Sequence, residues 1–239
     1  MAPVLGGKIA VVTGGSRGIG LSIAHRLLCK DASVLISGRD EQALAAAVKQ
    51  LEGVGSKRIA SIACDVRHYD QVEKMMARAA EKFGGIDFLV NNAGIGIFSS
   101  VDKLSVEDWD AVIQTNLSGS FYCVRAVVPY MRKRGGGYIV NISSLAGINA
   151  FPGGAAYNAS KFGLNGFSEA MMLDLRYEGI RTTYVMPGSV DTEFAHNPTG
   201  QSWKVSVEDI SQSVVGLFRS HPRAMFSRIE VRPSQPPRK

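Results

Sequence analysis

The feature that most constrains this chain is an alternation of short β-branched apolar runs with longer helical stretches. Six runs have the composition of strands and are followed by helical spacing: KIAVVT, SVLIS, RIASIAC, IDFLVN, GYIVNIS and IRTTYVM. Parallel neighbours need a crossover, which is usually a helix, so this order predicts a parallel sheet. Because the runs are apolar without strict alternation, we expect strands buried on both faces. The sequence therefore predicts an α/β fold, a doubly wound parallel sheet with helices on both faces.

The alternation also sets the domain organisation. It runs from about residue 8 to 187 without a linker, and 239 residues with 45% apolar positions can bury one large core, so we expect a single domain over 1–239. Past Pro187 the pattern loosens into a polar stretch with Gly, Pro and Trp, and 188–205 is predicted to be a substrate loop or lid. A helix, a last strand MFSRIEV and a basic Pro-rich tail over 232–239 follow.

Composition narrows the classes of partner. The formal charge of +6 is spread along the chain, with no basic helix and no aromatic-interleaved strand, so nucleic acid is not expected. The apolar runs are too short to cross a membrane and the start has no signal-peptide core, so we expect a soluble, cytoplasmic protein. The cysteines and histidines are scattered, which predicts neither a disulfide framework nor a metal site. They are Cys29, Cys64, Cys123, His25, His68, His196 and His221.

A glycine-rich stretch, TGGSRGIG, lies directly between the first predicted strand and the first helix. Gly14, Gly18 and Gly20 allow a tight turn and a close approach to a diphosphate, while the helix N-terminus supplies unpaired N–H groups. The spacing differs from the common G-x-G-x-x-G, and such a turn alone is weak evidence. Its position favours a dinucleotide site over a plain strand-to-helix connection.

The residues after the second strand bear on which dinucleotide binds. An acid there bonds a ribose 2′-hydroxyl, whereas a base accepts a 2′-phosphate. Arg39 stands just past the strand, and Arg17 lies inside the glycine turn. Two guanidinium groups suit a phosphate dianion, which favours NADP(H). The competing interpretation is that Asp40 binds the 2′-hydroxyl, although its place before EQALAAAV also suits a helix N-cap.

The stretch YNASK is a candidate acid–base pair. Tyr157 and Lys161 are four residues apart on a predicted helix, so they share a face. On most helices such a pair is only a pair of surface neighbours. A free phenol has a pKa of about 10, and lowering it by roughly 3 units needs about 4 kcal/mol of phenolate stabilisation, to which a nearby ammonium contributes. Ser144, at the end of the fifth strand, is placed at the sheet edge where it can donate to a carbonyl oxygen.

Six motifs in this order resemble the short-chain dehydrogenase/reductase family, and most closely its bacterial 3-oxoacyl-acyl-carrier-protein reductases. They are TGGSRGIG, NNAG, TNLSG, NISS, YNASK and PGSVDT, and the resemblance covers about residues 6–195. It implies a seven-stranded Rossmann sheet and NADP(H) chemistry. The chain departs from those reductases in its short loop after PGSVDT and in ending SRIEVRPSQPPRK, without the usual glycine-rich segment.

The resemblance also implies roles for residues that the pattern alone does not assign. It implies a proton-transfer set of Asn116, Ser144, Tyr157 and Lys161, in which Asn116 holds a water that links Lys161 to solvent. Asp65 would contact the adenine end of the cofactor. The full implied cofactor set is Gly14, Ser16, Arg17, Gly18, Ile19, Gly20, Arg39, Asp65, Val66, Asn92, Ala93, Gly94, Tyr157, Lys161, Pro187, Gly188, Val190 and Thr192. A homodimer or homotetramer is implied, packed through the helices at 105–134 and 155–178.

The leading functional hypothesis is an NADPH-dependent oxidoreductase that interconverts a ketone or aldehyde and an alcohol, possibly like a 3-oxoacyl-acyl-carrier-protein reductase. One alternative is an NADP-dependent dehydrogenase of a sugar or steroid-like alcohol. Another, of a different class, is a dinucleotide-binding regulator without turnover. The presence of Ser144, Tyr157 and Lys161 together argues against the regulator.

Overall fold

A computed structural model describes residues 5–194 and 199–237, and it contains one seven-stranded sheet in which every strand pair is parallel. The strands are β1 (Ile9–Thr13), β2 (Ser33–Gly38), β3 (Ile59–Ala63), β4 (Phe88–Asn91), β5 (Gly137–Ile142), β6 (Ile180–Pro187) and β7 (Arg228–Val231). Their order across the sheet is β3-β2-β1-β4-β5-β6-β7. The predicted doubly wound α/β fold, with about seven strands, is confirmed. Four residues of the predicted lid, 195–198, and two of the predicted tail, 238–239, lie outside the described residues.

Helices cover both faces of the sheet. They are α1 (Gly18–Leu28), α2 (Glu41–Gly55), α3 (Tyr69–Phe83), α4 (Val106–Ile113), α5 (Gly119–Lys133), α6 (Ala155–Leu175) and α7 (Val207–Phe218). Helices α1, α2 and α7 pack on one face, and α3, α5 and α6 pack on the other. Within the described residues, no helix combines the length and apolarity that crossing a bilayer needs.

The apolar composition of the strands follows from the helices on both faces of the sheet. In β1, Ala10 and Val12 belong to the core on the α1 face, whereas Val11 belongs to the core on the α3 face. All three side chains are fully buried. A strand buried on both faces needs apolar residues at consecutive positions, which explains the absence of alternation in the sequence. This arrangement leaves the carboxyl ends of the strands as the accessible edge where loops can form a site.

Side-chain caps fix where several helices begin. Asp40 caps α2, because its Oδ1 accepts hydrogen bonds from the backbone N–H groups of Gln42 and Ala43 at 2.9 and 3.0 Å. The N-cap interpretation of Asp40 is confirmed. Ser105 likewise caps α4 through the Asp108 N–H, as its position before an acidic first turn predicted.

The helical stretch predicted over 105–134 is divided in the structure. A π-helical turn, Gln114–Ser118, separates α4 from α5. Such turns insert extra backbone into a helix and occur frequently at functional sites. Close packing follows directly after it, because a Cβ on Gly119 would lie 2.7 Å from Val66 Cγ2. The turn places Asn116 on the side facing the carboxyl edge of the sheet, where it contacts Ile95.

Candidate active site

A cleft of about 1550 Å³ opens at the carboxyl ends of the strands. It spans the point where the strand order reverses, between β1 and β4, which is where doubly wound sheets bind ligands. Three of the four predicted catalytic residues and nearly all of the predicted cofactor residues line it. These are Gly14, Ser16, Arg17, Gly18, Ile19, Arg39, Asp65, Val66, Asn92, Ala93, Gly94, Ser144, Tyr157, Lys161, Pro187, Gly188, Val190 and Thr192.

The glycine turn forms the floor at one end of the cleft. Gly14 and Gly18 have φ values of 62° and 56°, in the left-handed region that favours glycine. Gly20 is the exception among the predicted residues, because it is buried beneath the turn instead of lining the cleft. A Cβ there would lie 2.3 Å from the Gly14 carbonyl oxygen. Gly20 therefore serves close packing between helix and turn, and its predicted cofactor contact stays a prediction.

Asn92 holds this turn in shape. Its Nδ2 donates to the carbonyl oxygens of Thr13 and Gly14, both at 3.0 Å. In return, the Thr13 hydroxyl oxygen accepts hydrogen bonds from the backbone N–H groups of Asn92 and Ala93 at 3.0 Å. These bonds join the ends of β1 and β4. The Asn92 side chain, predicted as a cofactor contact, thus has both amide hydrogens committed to the protein, and it positions the surfaces on either side.

Positive charge gathers at the glycine-turn end of the cleft. Arg17 and Arg39 both line the cleft and are exposed. Arg17 occupies the N-cap position of α1 without making a side-chain cap bond, so the first N–H groups of the helix are not capped by it. Asp40 lines the same wall, but its Oδ1 is occupied by the α2 cap. The arrangement can receive an anion.

Arg67 is a residue of this wall that sequence reasoning missed. Its Nη2 lies 2.6 Å from Asp65 Oδ2, and its Nε donates to both carboxylate oxygens. This hydrogen bonding holds the pKa of Asp65 below its usual value, although burial opposes the effect. The acid–x–base spacing of DVR could have indicated the pair. Asp65 therefore presents a carboxylate already paired with a guanidinium.

Ser144 stands two residues past β5, and asparagines of α6 hold the loop that follows it. Ser144 Oγ accepts from the Ala146 N–H at 3.1 Å. Asn158 Nδ2 donates to the Ala146 and Asn149 carbonyls at 2.6 and 3.1 Å. Asn165 Nδ2 donates to a third loop carbonyl at 3.0 Å. The loop is thereby tied to the helix that carries the tyrosine and lysine.

Ser143, the neighbour of Ser144, has a structural role. Its side chain is buried and donates to Asn165 Oδ1 at 2.5 Å, away from the Ser144 hydroxyl. Both serines line the cleft, but the Ser143 hydroxyl is committed to Asn165.

Tyr157 lies next to Ser144, and its environment opposes ionisation. Burial raises the pKa of the Tyr157 phenol, while hydrogen bonding by the Ser144 side chain lowers it by less. The sequence predicted a lowered pKa, so for the chain by itself the direction is the opposite one. The reason is desolvation, which disfavours a phenolate more than one neutral donor stabilises it.

Lys161 is buried, with 5% of its surface exposed. Its Nζ donates to the Ile142 carbonyl at 2.9 Å and lies 5.7 Å from the centre of the Tyr157 ring. Burial lowers the pKa of Lys161 from 10.5 to about 8. Tyr157 and Lys161 therefore share a face of α6, as predicted. The Lys161 ammonium is held near the Tyr157 ring by its hydrogen bond to the end of β5. A buried amine with a pKa near neutrality is the kind of group that acid–base sites use.

Asn116 lies behind the cleft wall. Its Nδ2 donates to the Ile95 carbonyl at 2.9 Å and to Ser160 Oγ at 3.0 Å, and its Oδ1 accepts from the Ile95 N–H at 2.8 Å. Both amide hydrogens are thus used within the protein. The side chain fastens the segment after β4 to α6, one residue from Lys161. The predicted water-holding role stays a prediction.

This constellation agrees with a known family. The sequence model of the short chain dehydrogenase family matches residues 8–202, which is most of the chain. The chain belongs to the short-chain dehydrogenase family. It is an oxidoreductase of that family, as the resemblance of its motifs implied.

Relatives of this short-chain dehydrogenase match most of the chain. An uncharacterized oxidoreductase of Staphylococcus saprophyticus is 34% identical over 95% of this chain and 97% of its own. A 3beta-hydroxysteroid dehydrogenase of Mediterraneibacter gnavus is 41% identical over 77% of this chain and 67% of its own. A metagenomic short-chain oxidoreductase, solved in complex with NADP, superimposes with a TM-score of 0.86 at 35% identity, covering 98% of this chain and 100% of that one.

Residues of the predicted lid and tail line the other end of the cleft in this short-chain dehydrogenase. The predicted lid is held at its base, where Val190 pairs with Val205 in an isolated bridge and the Asp191 N–H donates to the Val205 carbonyl at 2.8 Å. The tail does not extend away from the domain in its described part. Arg232 and Pro233 line the cleft, and a Cβ on Gly188 would lie 3.2 Å from Pro233 Cδ.

The described residues of the short-chain dehydrogenase contain no group of three or more His, Cys, Asp or Glu side chains that could hold a metal ion. The three cysteines are unpaired, and two of them, Cys64 and Cys123, are buried. Burial raises the pKa of Cys64 to about 11. The polar chemistry of the cleft therefore rests on hydroxyl, amide, carboxylate, ammonium and guanidinium groups.

Proposed function

We propose that this short-chain dehydrogenase interconverts a ketone or aldehyde and an alcohol with NADP(H). The observation that carries the proposal is the convergence of Ser144, Tyr157 and Lys161 in one cleft with the glycine turn. A proton donor, a hydrogen-bond donor and a buried cation there match the needs of a carbonyl that becomes an alkoxide. The diphosphate end lies in the same cleft.

The residues at that end fit a dinucleotide. A Cβ on Gly14 would lie 3.0 Å from the Ala93 Cα, so the turn has no room for a side chain there. The start of α1 offers backbone N–H groups to a diphosphate. Arg17 and Arg39 supply guanidinium groups suited to a 2′-phosphate, and the NADP bound in the metagenomic relative supports this choice. We therefore propose NADP(H) over NAD(H).

Arg39→Ala is expected to weaken NADPH binding by about 10- to 100-fold while leaving NADH binding within about threefold, because a hydrogen-bonded ion pair to phosphate is worth roughly 1.5–3 kcal/mol. The measurement is a fluorescence titration of both cofactors. Arg78→Ala is the matched control, since Arg78 pairs with Glu81 on the outer surface of α3. Equal losses for both cofactors, or none, would contradict the assignment.

In the proposed reaction, NADPH held by the glycine turn, Arg17 and Arg39 would supply the hydride that reduces the carbonyl carbon. The carbonyl π bond breaks, and its electron pair goes to oxygen. Ser144 donates a hydrogen bond to that oxygen as charge develops, and Tyr157 gives it a proton. One hydride and one proton thus convert C=O to CH–OH. The reverse path oxidises an alcohol with the same residues.

Lys161 stabilises the Tyr157 phenolate that remains after proton transfer. Its Nζ, 5.7 Å from the Tyr157 ring centre, is charged below about pH 8 in the chain by itself. A positive charge at that distance in a buried site favours the ionised phenol. Burial raises the pKa of Tyr157, and the Lys161 charge would act in the opposite direction.

The direct test is NADPH oxidation against a panel of ketones, aldehydes and acyl thioesters. Turnover confined to acyl thioesters would support the narrower 3-oxoacyl-acyl-carrier-protein reductase role. The name of the Mediterraneibacter relative favours a second candidate, the oxidation of a steroid-like alcohol, which NADP⁺ reduction with hydroxysteroids and sugar alcohols tests. A chain that binds NADPH but turns over no substrate in either direction would instead be a regulator.

We further propose that the protein acts in the cytoplasm as a homodimer or homotetramer. Its unpaired thiols suit a reducing compartment. Large apolar side chains are exposed on α5 and α6, which is typical of contact surfaces. The exposed apolar side chains are Phe121, Phe162 and Leu173, with Tyr177 just beyond α6.

Leu173→Glu is expected to shift the oligomer toward monomer, because a carboxylate would be buried without a partner at the contact. Light scattering after size exclusion measures the mass. Val101→Glu, at a residue exposed outside both helices, is the control. A wild-type protein that is monomeric at micromolar concentration would refute the proposal.

A further inference from the structure

Three phenylalanines surround the proposed proton donor and form what we call the phenylalanine wall: Phe98, Phe151 and Phe194. The Phe98 ring centre lies 5.6 Å from that of Tyr157, with the rings nearly perpendicular at 88°. Phe151 lies 5.6 Å from Phe98 at 70°, and Phe194 lies 5.7 Å from Tyr157 at 50°. All of these residues line the cleft. The phenol thus projects from a continuous aromatic surface.

Gly96 allows this surface to close. A Cβ at Gly96 would lie 2.8 Å from Phe194 Cε1 and 3.0 Å from Phe98 Cζ. A side chain there would push these rings apart, so glycine lets the rings of Phe98 and Phe194 approach each other at this point. The wall is therefore assembled by three loops that are distant in sequence.

The wall remains open toward the cleft. Phe98 is 46% exposed and Phe151 is 41% exposed, and both line the cleft. Contiguous exposed apolar side chains in a groove mark a ligand surface. Trp203 adds a further ring to the lining, and its Nε1 already donates to Gln201 Oε1 at 3.0 Å. The surface that faces a substrate is thus aromatic and aliphatic.

The charged groups at this end balance one another in formal charge, since Asp191 and Glu193 are acids and Lys204 and Arg232 are bases. Among the described residues lining it, Asp191 accepts hydrogen bonds from the Gly200 and Gln201 N–H groups. Arg232 Nη2 lies 2.8 Å from Glu230 Oε2, and Lys204 Nζ lies 6.0 Å from the Trp203 ring. A substrate phosphate or carboxylate would have to displace these contacts. The electrostatics therefore favour a neutral substrate at this end.

We propose that the preferred substrates are neutral ketones whose carbonyl is attached to, or part of, a planar aromatic or fused-ring system. This inference rests on the proposed function, because it takes Tyr157 as the proton donor. A planar ring packs face or edge against the phenylalanine wall, with its carbonyl at the Tyr157 hydroxyl. Flexible acyl chains gain less from such a surface, because they must be ordered on binding.

The test compares ketones matched in size. With saturating NADPH, we expect kcat/KM for acetophenone to exceed that for cyclohexyl methyl ketone by about tenfold, and 1-tetralone to exceed 2-octanone and acetoacetyl-coenzyme A by at least as much. Equal efficiency for the planar and saturated ketones, or a preference for the thioester, overturns the inference. If no ketone, aldehyde or thioester is reduced, the proposed function itself fails.

Two variants distinguish the loss of the aromatic surface from general damage to the protein. Phe98→Leu keeps apolar volume but removes the aromatic face, so it should lower kcat/KM for acetophenone by about 10-fold and leave the cyclohexyl ketone within about threefold. Phe98→Ala should lower the acetophenone value by about 10- to 100-fold. Phe226→Ala, at a 49% exposed phenylalanine that does not line the cleft, is the control. A uniform loss with all ketones in Phe98→Leu would contradict the proposal.

Discussion

Tyr157→Phe is expected to lower kcat for ketone reduction by about 1000-fold, since positioned proton transfer contributes roughly 10²–10⁴-fold. The phenol is the proposed proton source beside Ser144, and phenylalanine keeps the ring while removing only the hydroxyl. The ring contacts with Phe98 and Phe194 should survive. Steady-state kinetics with the best ketone of the panel measures the loss, and NADPH titration should give a Kd within about twofold of the wild type.

Tyr177→Phe is the matched control, because Tyr177 is 91% exposed beyond the end of α6. It should retain full turnover. If Tyr157→Phe kept more than about a tenth of the wild-type kcat, water or another side chain would have to supply the proton, and the assignment would be wrong. A parallel loss of NADPH affinity and turnover would point to damage to the cleft instead.

Lys161→Met should change both turnover and the pH dependence of stability. The pKa of Lys161 is about 8 in the folded chain, below its ordinary value of 10.5. Between these values the unfolded chain holds more protons, so the free energy of unfolding rises with pH, by up to about 3 kcal/mol. Below pH 8 the folded protein bears the full free-energy cost of burying the charged Lys161 side chain. Above pH 10.5 it is absent.

Denaturant unfolding of wild type and Lys161→Met from pH 7.5 to 10 isolates this contribution as the difference between two curves. The wild-type curve should gain stability relative to the variant across this window, whereas groups common to both cancel. Turnover of the variant should fall by about 100-fold or more, because the phenolate loses its buried charge. Parallel stability curves would show that Lys161 is not titrating in the cleft.

Most of the fold could be predicted from the sequence because its elements obey local rules. Each predicted strand occurs, since a run of β-branched residues buried on both faces has few alternatives, and Asp40 and Ser105 mark helix starts through bonds to backbone two or three residues away. The π-helical turn could not be predicted in this way. It is stabilised by the bonds of Asn116 to Ile95 and Ser160, which are distant in sequence.

The same distinction applies to the site. Ser144, Tyr157 and Lys161 belong to short motifs, so their approach to one cleft could be expected. The pairing of Arg67 with Asp65, the location of Arg232 and the convergence of Phe98 on Tyr157 depend on side-chain packing between loops. The pKa of Tyr157 shows the limit most clearly, because the sequence identified the neighbouring charge but not the amount of burial that opposes it.

The hydrogen bonds from asparagines of α6 to the loop after β5 fix the relative positions of two proposed catalytic groups. Asn158 and Asn165 hold the Ser144 loop by its carbonyl groups, so the hydrogen-bond donor and the proton donor share one rigid body. The spacing of the Ser144 and Tyr157 hydroxyls is therefore set by hydrogen bonds between one loop and one helix. The alignment of the Ser144 and Tyr157 hydroxyls is thus a property of the fold, and it is separate from the entry of a substrate into the cleft.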